Sequence, residues 1–135
     1  MVSGFVPMNY TPKEKIIEEA YEEADLDTTT LKKIKFVSFV NFVEVDELNC
    51  KRGSVIIFDL LLPQLFLPKN NDGEVATFNC LKLDKVLELT NFPQIFKFDS
   101  KLVAIDFLLR KGFFKIENEK DFNKLRILRQ DIDNL

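Results

Sequence analysis

Two short stretches carry residue types that could hold a metal ion and activate a water molecule. Asp59 closes a strand-like apolar run, and Asp99-Ser100-Lys101 follows another extended piece. Two carboxylates and a lysine can bind Mg²⁺ and activate water, as in metal-dependent nucleases. An acidic residue two positions before a lysine is nevertheless a very common pattern, and Asp99 also suits a helix cap. A magnesium-dependent nuclease is therefore the most remote of three functional hypotheses.

Many other reaction chemistries are excluded by what the chain lacks. Its 135 residues include no histidine, which closes Ser-His and Cys-His nucleophile pairs, histidine general bases and histidine-ligated metals. Its four glycines are too dispersed for a nucleotide-binding loop, and Arg52-Gly53-Ser54 has nothing of the phosphate-loop pattern. The sequence therefore predicts no catalytic residues, no metal site and no cofactor.

The two cysteines and the apolar segments bear on compartment. Cys50 and Cys80 form no CxxC pair, so a zinc site is not expected. The first eight residues lack the basic and long apolar regions of a secretory signal, so we expect reduced thiols in an intracellular protein, cytoplasmic or nuclear. The apolar run 55–67 is too short to span a membrane and is interrupted by polar residues and Pro63, so no membrane association is predicted.

Charge is unevenly distributed and suggests nucleic acid as an alternative partner. The net charge is -3, but residues 97–130 carry nine Lys or Arg against five Asp or Glu. A helix, a strand and a second helix in this region would resemble a winged-helix arrangement, with basic side chains on phosphates. The candidate contacts are Lys101, Arg110, Lys111, Lys115, Lys120 and Lys124. Interspersed acidic residues dilute this positive charge and favour plain solvated helix faces.

The abundance of phenylalanine favours a different function. Fourteen phenylalanines in so short a chain are more than one small core is expected to absorb. Adjacent residues on a strand point to opposite faces, so Phe113 and Phe114 would need a second covering layer. The main prediction is a non-enzymatic protein-protein interaction module, an intracellular subunit or adaptor of a larger or homo-oligomeric assembly. The predicted interface comprises Phe113, Phe114, Phe122, Leu125, Arg129 and Ile132. The same composition is typical of an AT-rich genome, a viral one among the candidates.

The elements that must position these residues can be predicted from local patterns. Thr11 and Glu14 form a capping box around Pro12, which predicts an N-terminal helix. The runs 36–45 and 55–62 are predicted as central strands with both faces covered, although polar residues every third position in the first also suit a helix. Asp72-Gly73 predicts a turn between hairpin arms 65–67 and 74–83, with Cys80 buried.

The C-terminal half is predicted to be largely helical. Asp84 would cap a short helix, 85–89, and Asp99-Ser100 a second, 101–111, which Gly112 closes. A short strand, 113–116, and a last helix beginning after Asn118 complete the chain. The predicted fold is α+β, a single domain over 1–135 with a flexible arm at 1–10, a central, mostly antiparallel sheet and two C-terminal helices.

Overall fold

A computed structural model of the chain describes residues 1–45, 50–92 and 94–113. Its elements are α1 (Pro12–Ala24), α2 (Thr28–Leu31), β1 (Lys35–Val45), β2 (Cys50–Asp59), α3 (Leu83–Thr90) and α4 (Phe98–Arg110). The predicted α+β class is confirmed, with an N-terminal helix, an antiparallel strand pair and helices towards the C-terminus. The extent of the domain and its arm stay predictions, and the last predicted helix lies outside the described residues. No helix in the described ranges has the length and apolar character to cross a membrane.

The start of α1 follows from its first four residues. The Glu14 amide donates to Thr11 Oγ1 at 3.2 Å, and the Thr11 amide donates to Glu14 Oε2 at 2.8 Å. These two bonds satisfy backbone groups that a helix leaves without partners, so the predicted capping box is confirmed. The helix ends at Asp25, which adopts the left-handed conformation with φ 54°. Asp27 then caps α2 by accepting from the amides of Thr29 and Thr30.

β1 and β2 form a two-stranded sheet among the described residues. β1 is a strand and not a helix, as predicted, because its many Phe and Val side chains pack well on a pleated surface. The prediction that both faces are covered is wrong. Ser38 and Val40 are buried on one face, whereas Val43 and Val45 on the other are 54% and 72% exposed.

The chain divides into two compact units, the first of which comprises residues 1–36 and 58–80. Its core consists of Ala20, Ala24, Leu26 and Leu31, which come from α1, α2 and their connection. Leu60, Leu62 and Phe66, which follow β2 in the chain, pack against this core. This first unit is therefore closed by apolar contacts between its helices and a segment without regular structure.

The second unit comprises residues 37–57 and 81–135, described as far as residue 113. Among its described residues, the buried apolar ones are Val40, Ile57, Ala104 and Leu108. α3 packs against α4. These contacts show that the covered face of the hairpin supplies part of the core and α4 supplies another part.

The predicted second hairpin is absent from the described residues. A turn does occur at Asp72-Gly73, where Gly73 has φ 86°, but the flanking arms 65–67 and 74–83 are not strands. Asn70 closes the turn locally, because its Oδ1 accepts from the amides of Asp72 and Gly73 at 3.2 and 2.9 Å. Cys80 is exposed, which contradicts its predicted burial.

Two predicted helix caps are also wrong. α3 begins after Lys82 and α4 after Lys97, and neither lysine makes a side-chain capping bond. Asp84 and Asp99 lie instead in the first turns, where a carboxylate favours the positive end of the helix dipole. α4 ends at Arg110, one residue before the predicted end, and Gly112 adopts φ 72° after the cap residue Lys111, as the predicted glycine stop requires.

Candidate functional site

The open face of the β1–β2 hairpin brings several hydrogen-bonding side chains together. Asn41 and Ser54 are cross-strand neighbours, and Ser54 Oγ donates to Asn41 Oδ1. Val43 and Arg52 follow on the same face, since residues two apart on a strand point the same way. Together these four residues provide a guanidinium, an amide, a hydroxyl and an apolar side chain on one face of the two strands.

These residues surround a shallow cavity of about 420 Å³. Its lining residues are Asn41, Phe42, Val43, Arg52, Gly53 and Ser54. This volume lies within the range of small-molecule sites, ~300–1,000 Å³. Such sites combine apolar surface with a few polar groups that orient the ligand, and this cavity has both. The arrangement offers hydrogen-bonding groups beside an apolar side chain, but it contains no nucleophile paired with a base.

Contacts of the Phe42 ring fix the position of this part of the hairpin. The ring of Phe42 packs edge-on against that of Phe98, with centroids 5.4 Å apart and planes at 69°. A Cβ at Gly53 would lie 2.6 Å from Phe42 Cζ, so glycine allows the ring to lie close over β2. Lys51 Nζ is 5.8 Å from the centre of the Phe42 ring, a cation–π distance. These contacts fasten the cavity to α4.

A buried polar network makes a second connection between the hairpin and α4. Ser38 Oγ donates to Asp106 Oδ1 at 2.8 Å, and Arg110 Nε donates to Asp106 Oδ2 at 2.7 Å. Ser38 and Asp106 are only 1% and 3% exposed. A serine so enclosed cannot meet a substrate, so the network is structural. Its carboxylate is satisfied on both oxygens, as a buried charge requires.

The residues of the remote nuclease alternative were compared with the metal ligands that the described residues offer. In residues 1–45, 50–92 and 94–113, no group of three or more His, Cys, Asp or Glu residues could hold a metal ion. Asp59 ends β2, and Asp99 and Lys101 belong to the first turn of α4. The nuclease alternative thus gains no cluster of three metal ligands among the described residues.

Three residues of the predicted nucleic-acid surface are described, and all lie at α4 or its end. Lys101 is half-buried, and Arg110 is paired with Asp106. The Arg110 guanidinium and the Lys111 ammonium lie 5.4 and 5.3 Å from the centre of the Phe107 ring. The other three are Lys115, Lys120 and Lys124, which lie outside the described residues. A role of these six residues in binding stays a prediction.

Of the predicted protein interface, only Phe113 is described. It follows Gly112 and is 36% exposed. The remaining residues lie outside the described ranges: Phe114, Phe122, Leu125, Arg129 and Ile132. This interface therefore also stays a prediction. The hairpin cavity was missed, although a signal existed: Asn41 with Val43, and Arg52 with Ser54, mark a strand face that is only partly apolar.

Comparison with known proteins yields two hydrolase-named relatives. The chain is 32% identical over 118 residues to Nudix hydrolase 20, chloroplastic, of Arabidopsis thaliana, covering 87% of this chain and 32% of that protein. It is 31% identical over 129 residues to Nudix hydrolase 24, chloroplastic, of the same plant, covering 96% and 35%. An uncharacterized protein of Saccharomyces cerevisiae is 27% identical over 137 residues, covering 93% and 40%. No family model matches the chain.

The chain thus spans about a third of the length of the two hydrolase-named relatives it matches. These matches overturn the main functional prediction. A non-enzymatic interaction module, adaptor or complex subunit is wrong, because proteins named as hydrolases align with nearly the whole chain. Neither name mentions nucleic acid, so the nucleic-acid and nuclease alternatives gain nothing. The cytoplasmic or nuclear compartment stays a prediction.

Proposed function

We propose that this chain is part of a hydrolase of the kind named by its two Arabidopsis relatives, and that its hairpin cavity contributes to substrate binding. The observation that supports the first half is the similarity of 31–32% identity across 87% and 96% of the chain. Two thirds of each relative lie outside the match, so the proposal assigns this chain a share of the enzyme and not the whole reaction.

The cavity supports the second half of the proposal. Arg52 supplies a permanent cation with several N–H donors, while Asn41 and Ser54 add shorter polar groups. Val43 gives the same surface an apolar contact. A ligand held here would be oriented by hydrogen bonds on one side and packed on the other, and no bond-breaking step is assigned to these residues.

The test is a chimera in which this chain replaces the matched third of Nudix hydrolase 20. Hydrolysis is measured with p-nitrophenyl phosphate, p-nitrophenyl acetate and ATP, which represent phosphoester, carboxylic ester and phosphoanhydride bonds. The intact relative and a version lacking the matched third are the controls. We expect the chimera to hydrolyse the substrate class that the intact relative hydrolyses and the shortened version to fail. A chimera no better than the shortened version contradicts the proposal.

The cavity is tested in the same chimera by Arg52→Ala and Asn41→Ala. Each is expected to raise KM about tenfold with little change in kcat, because a substrate contact made equally in ground and transition states affects binding alone. Lys35→Ala is the matched control, since Lys35 is an exposed cation of β1 outside the cavity. Unchanged KM in both cavity variants would remove the cavity from the proposal and leave the hydrolase assignment intact.

A further inference from the structure

The residues Val2, Ser3 and Gly4, here called the N-terminal clasp, lie against two carboxyl groups of α1. The Ser3 amide donates to Glu23 Oε2 at 3.4 Å, and Val2 packs against the core of the first unit. Gly4 lies so close to the Glu19 side chain that a Cβ at this position would overlap its carboxyl group. Glu23 is only 9% exposed. The clasp therefore covers a face of α1 that carries a buried carboxyl group.

A turn of the same unit adds two further carboxylates near Glu23. The turn is fixed to α1, because the Asn71 amide donates to the Glu22 carbonyl at 2.9 Å. Asp72 and Glu74, which follow in this turn, act on Glu23 as like charges. Negative charge from two segments thus converges on a group from which water is largely excluded.

The charge of Glu23 is less well compensated than that of its neighbour Glu19. Lys15 Nζ lies 2.8 Å from Glu19 Oε1 and forms an ion pair with it. Burial raises the pKa of the Glu23 carboxyl above its ordinary value of 4.5, the neighbouring carboxylates add to this, and the Ser3 amide only partly opposes it. If the clasp moved away, water would reach this carboxyl and stabilise its charged form.

We infer that the N-terminal clasp is a pH-sensitive closure of the first unit, held on α1 when Glu23 is protonated and loosened when Glu23 is charged. A protonated carboxyl still has an oxygen that accepts from the Ser3 amide. The closed state binds the proton more tightly than the open state, so closure is strongest at acidic pH and weakens as pH rises through the raised pKa. Opening uncovers the core surface on which Val2 packs. This inference goes beyond the proposed function and does not depend on it, because the cavity residues belong to the second unit.

Methyl NMR of the full chain tests the closure, because nuclear Overhauser cross-peaks between Val2 and the core methyl groups report their contact. The cross-peaks are followed from about pH 5 to about pH 8 in the natural chain, in Glu23→Gln and in Glu22→Gln, a control acidic residue of the same helix. We expect them to weaken about twofold or more as pH rises in the natural chain and in the control, and to stay constant in Glu23→Gln, which cannot become charged. Constant cross-peaks in the natural chain, or an equal change in Glu23→Gln, overturn the inference.

The titration of Glu23 provides an independent measurement in the opposite direction. The pKa of its carboxyl is read from the Cδ chemical shift in the natural chain and in Val2→Ser, which removes the apolar contact of the clasp. Because proton binding and closure are linked, loosening the clasp should lower this pKa towards 4.5. Val6→Ser is the matched control, since Val6 is an exposed valine of the same N-terminal stretch, and it should leave the pKa unchanged. A pKa that is the same in Val2→Ser as in the natural chain overturns the inference.

Discussion

The two compact units are stabilised by different kinds of contact. The first uses apolar side chains from α1 and α2, and fixes its helices by side-chain caps at Thr11 and Asp27. The second buries a charged network, in which Asp106 joins Ser38 of β1 to Arg110 of α4, and its two described helices, α3 and α4, lack side-chain caps. Local helix caps and apolar packing thus stabilise the first unit, whereas a long-range polar contact joins β1 to α4 within the second.

The largest effect is expected from Asp106→Ala in the second unit. Removing the carboxylate takes one hydrogen-bond acceptor from Arg110 and the acceptor of the buried Ser38 hydroxyl, and a hydrogen bond to a charged group contributes about 1.5–3 kcal/mol. The free energy of unfolding from urea titration measures this loss. Asp99→Ala in the first turn of α4 is the control, because Asp99 is exposed. A loss below about 1 kcal/mol would mean that the Ser38–Asp106–Arg110 network contributes little to the stability of the second unit.

Leu31→Ala tests whether apolar packing closes the first unit. Leu31 is 2% exposed, and replacing a buried leucine by alanine costs about 2–5 kcal/mol. Leu61, in the segment that follows β2, is 92% exposed, so Leu61→Ala in the isolated chain should change stability by less than about 0.5 kcal/mol. Urea unfolding of both variants checks the contrast. Equal losses of stability for Leu31→Ala and Leu61→Ala would contradict the role of buried apolar packing in the first unit.

Thr11→Ala tests the difference in helix capping. It removes a bonded cap from α1, and the expected loss is about 1 kcal/mol. Lys97→Ala at the corresponding position of α4 removes no capping bond, so less than about 0.5 kcal/mol is expected. Both values come from thermal unfolding followed by circular dichroism. A larger loss of stability for Lys97→Ala than for Thr11→Ala would contradict the difference in helix capping.

The smallest effect concerns Glu23 and depends on pH. Burial raises the pKa of the Glu23 carboxyl above its ordinary value of 4.5, and the nearby carboxylates of Glu19, Asp72 and Glu74 add to this, against a hydrogen bond from the Ser3 amide. The folded state therefore binds this proton more tightly than the unfolded state. The favourable contribution is fully present below pH 4.5 and is lost as pH rises through the raised pKa.

Glu23→Gln removes this dependence. The stability of the variant relative to the natural chain should therefore increase as pH rises from below 4.5 to neutrality, as measured by urea unfolding at several pH values. Glu14 and Asp27 have lowered pKa values and change stability in the opposite sense, but they do so in both proteins and cancel in the difference. A difference that does not vary with pH would contradict the burial of a charged Glu23.

The parts of the fold that could be predicted are those that depend on neighbouring residues. The Thr11–Glu14 box, the Gly112 helix end and the β content of 36–45 all follow from local chemistry. The arms 65–67 and 74–83 could not be judged this way, because an alternating pattern becomes a strand only with a partner to pair with. Nor could the burial of Ser38, since its acceptor Asp106 lies 68 residues further along the chain.

The candidate site and the function were harder to predict for a related reason. Asn41 and Arg52 become neighbours only through the register of the hairpin, and their face looked apolar because of Phe39 and Val43. The proposed hydrolase role rests on similarity spread over 87% and 96% of the chain and not on a compact motif. The excess of phenylalanine that suggested an adaptor is partly explained within the fold, for example by Phe42 against Phe98.

The most direct test of the central claim is the kcat/KM of the Nudix hydrolase 20 chimera, measured beside the intact relative and the version lacking its matched third. If this chain performs the share of a hydrolase proposed for it, the chimera should hydrolyse the same substrate class within about tenfold of the intact relative, a difference of about 1.4 kcal/mol in transition-state stabilisation. A folded chimera with the activity of the shortened version would contradict the claim.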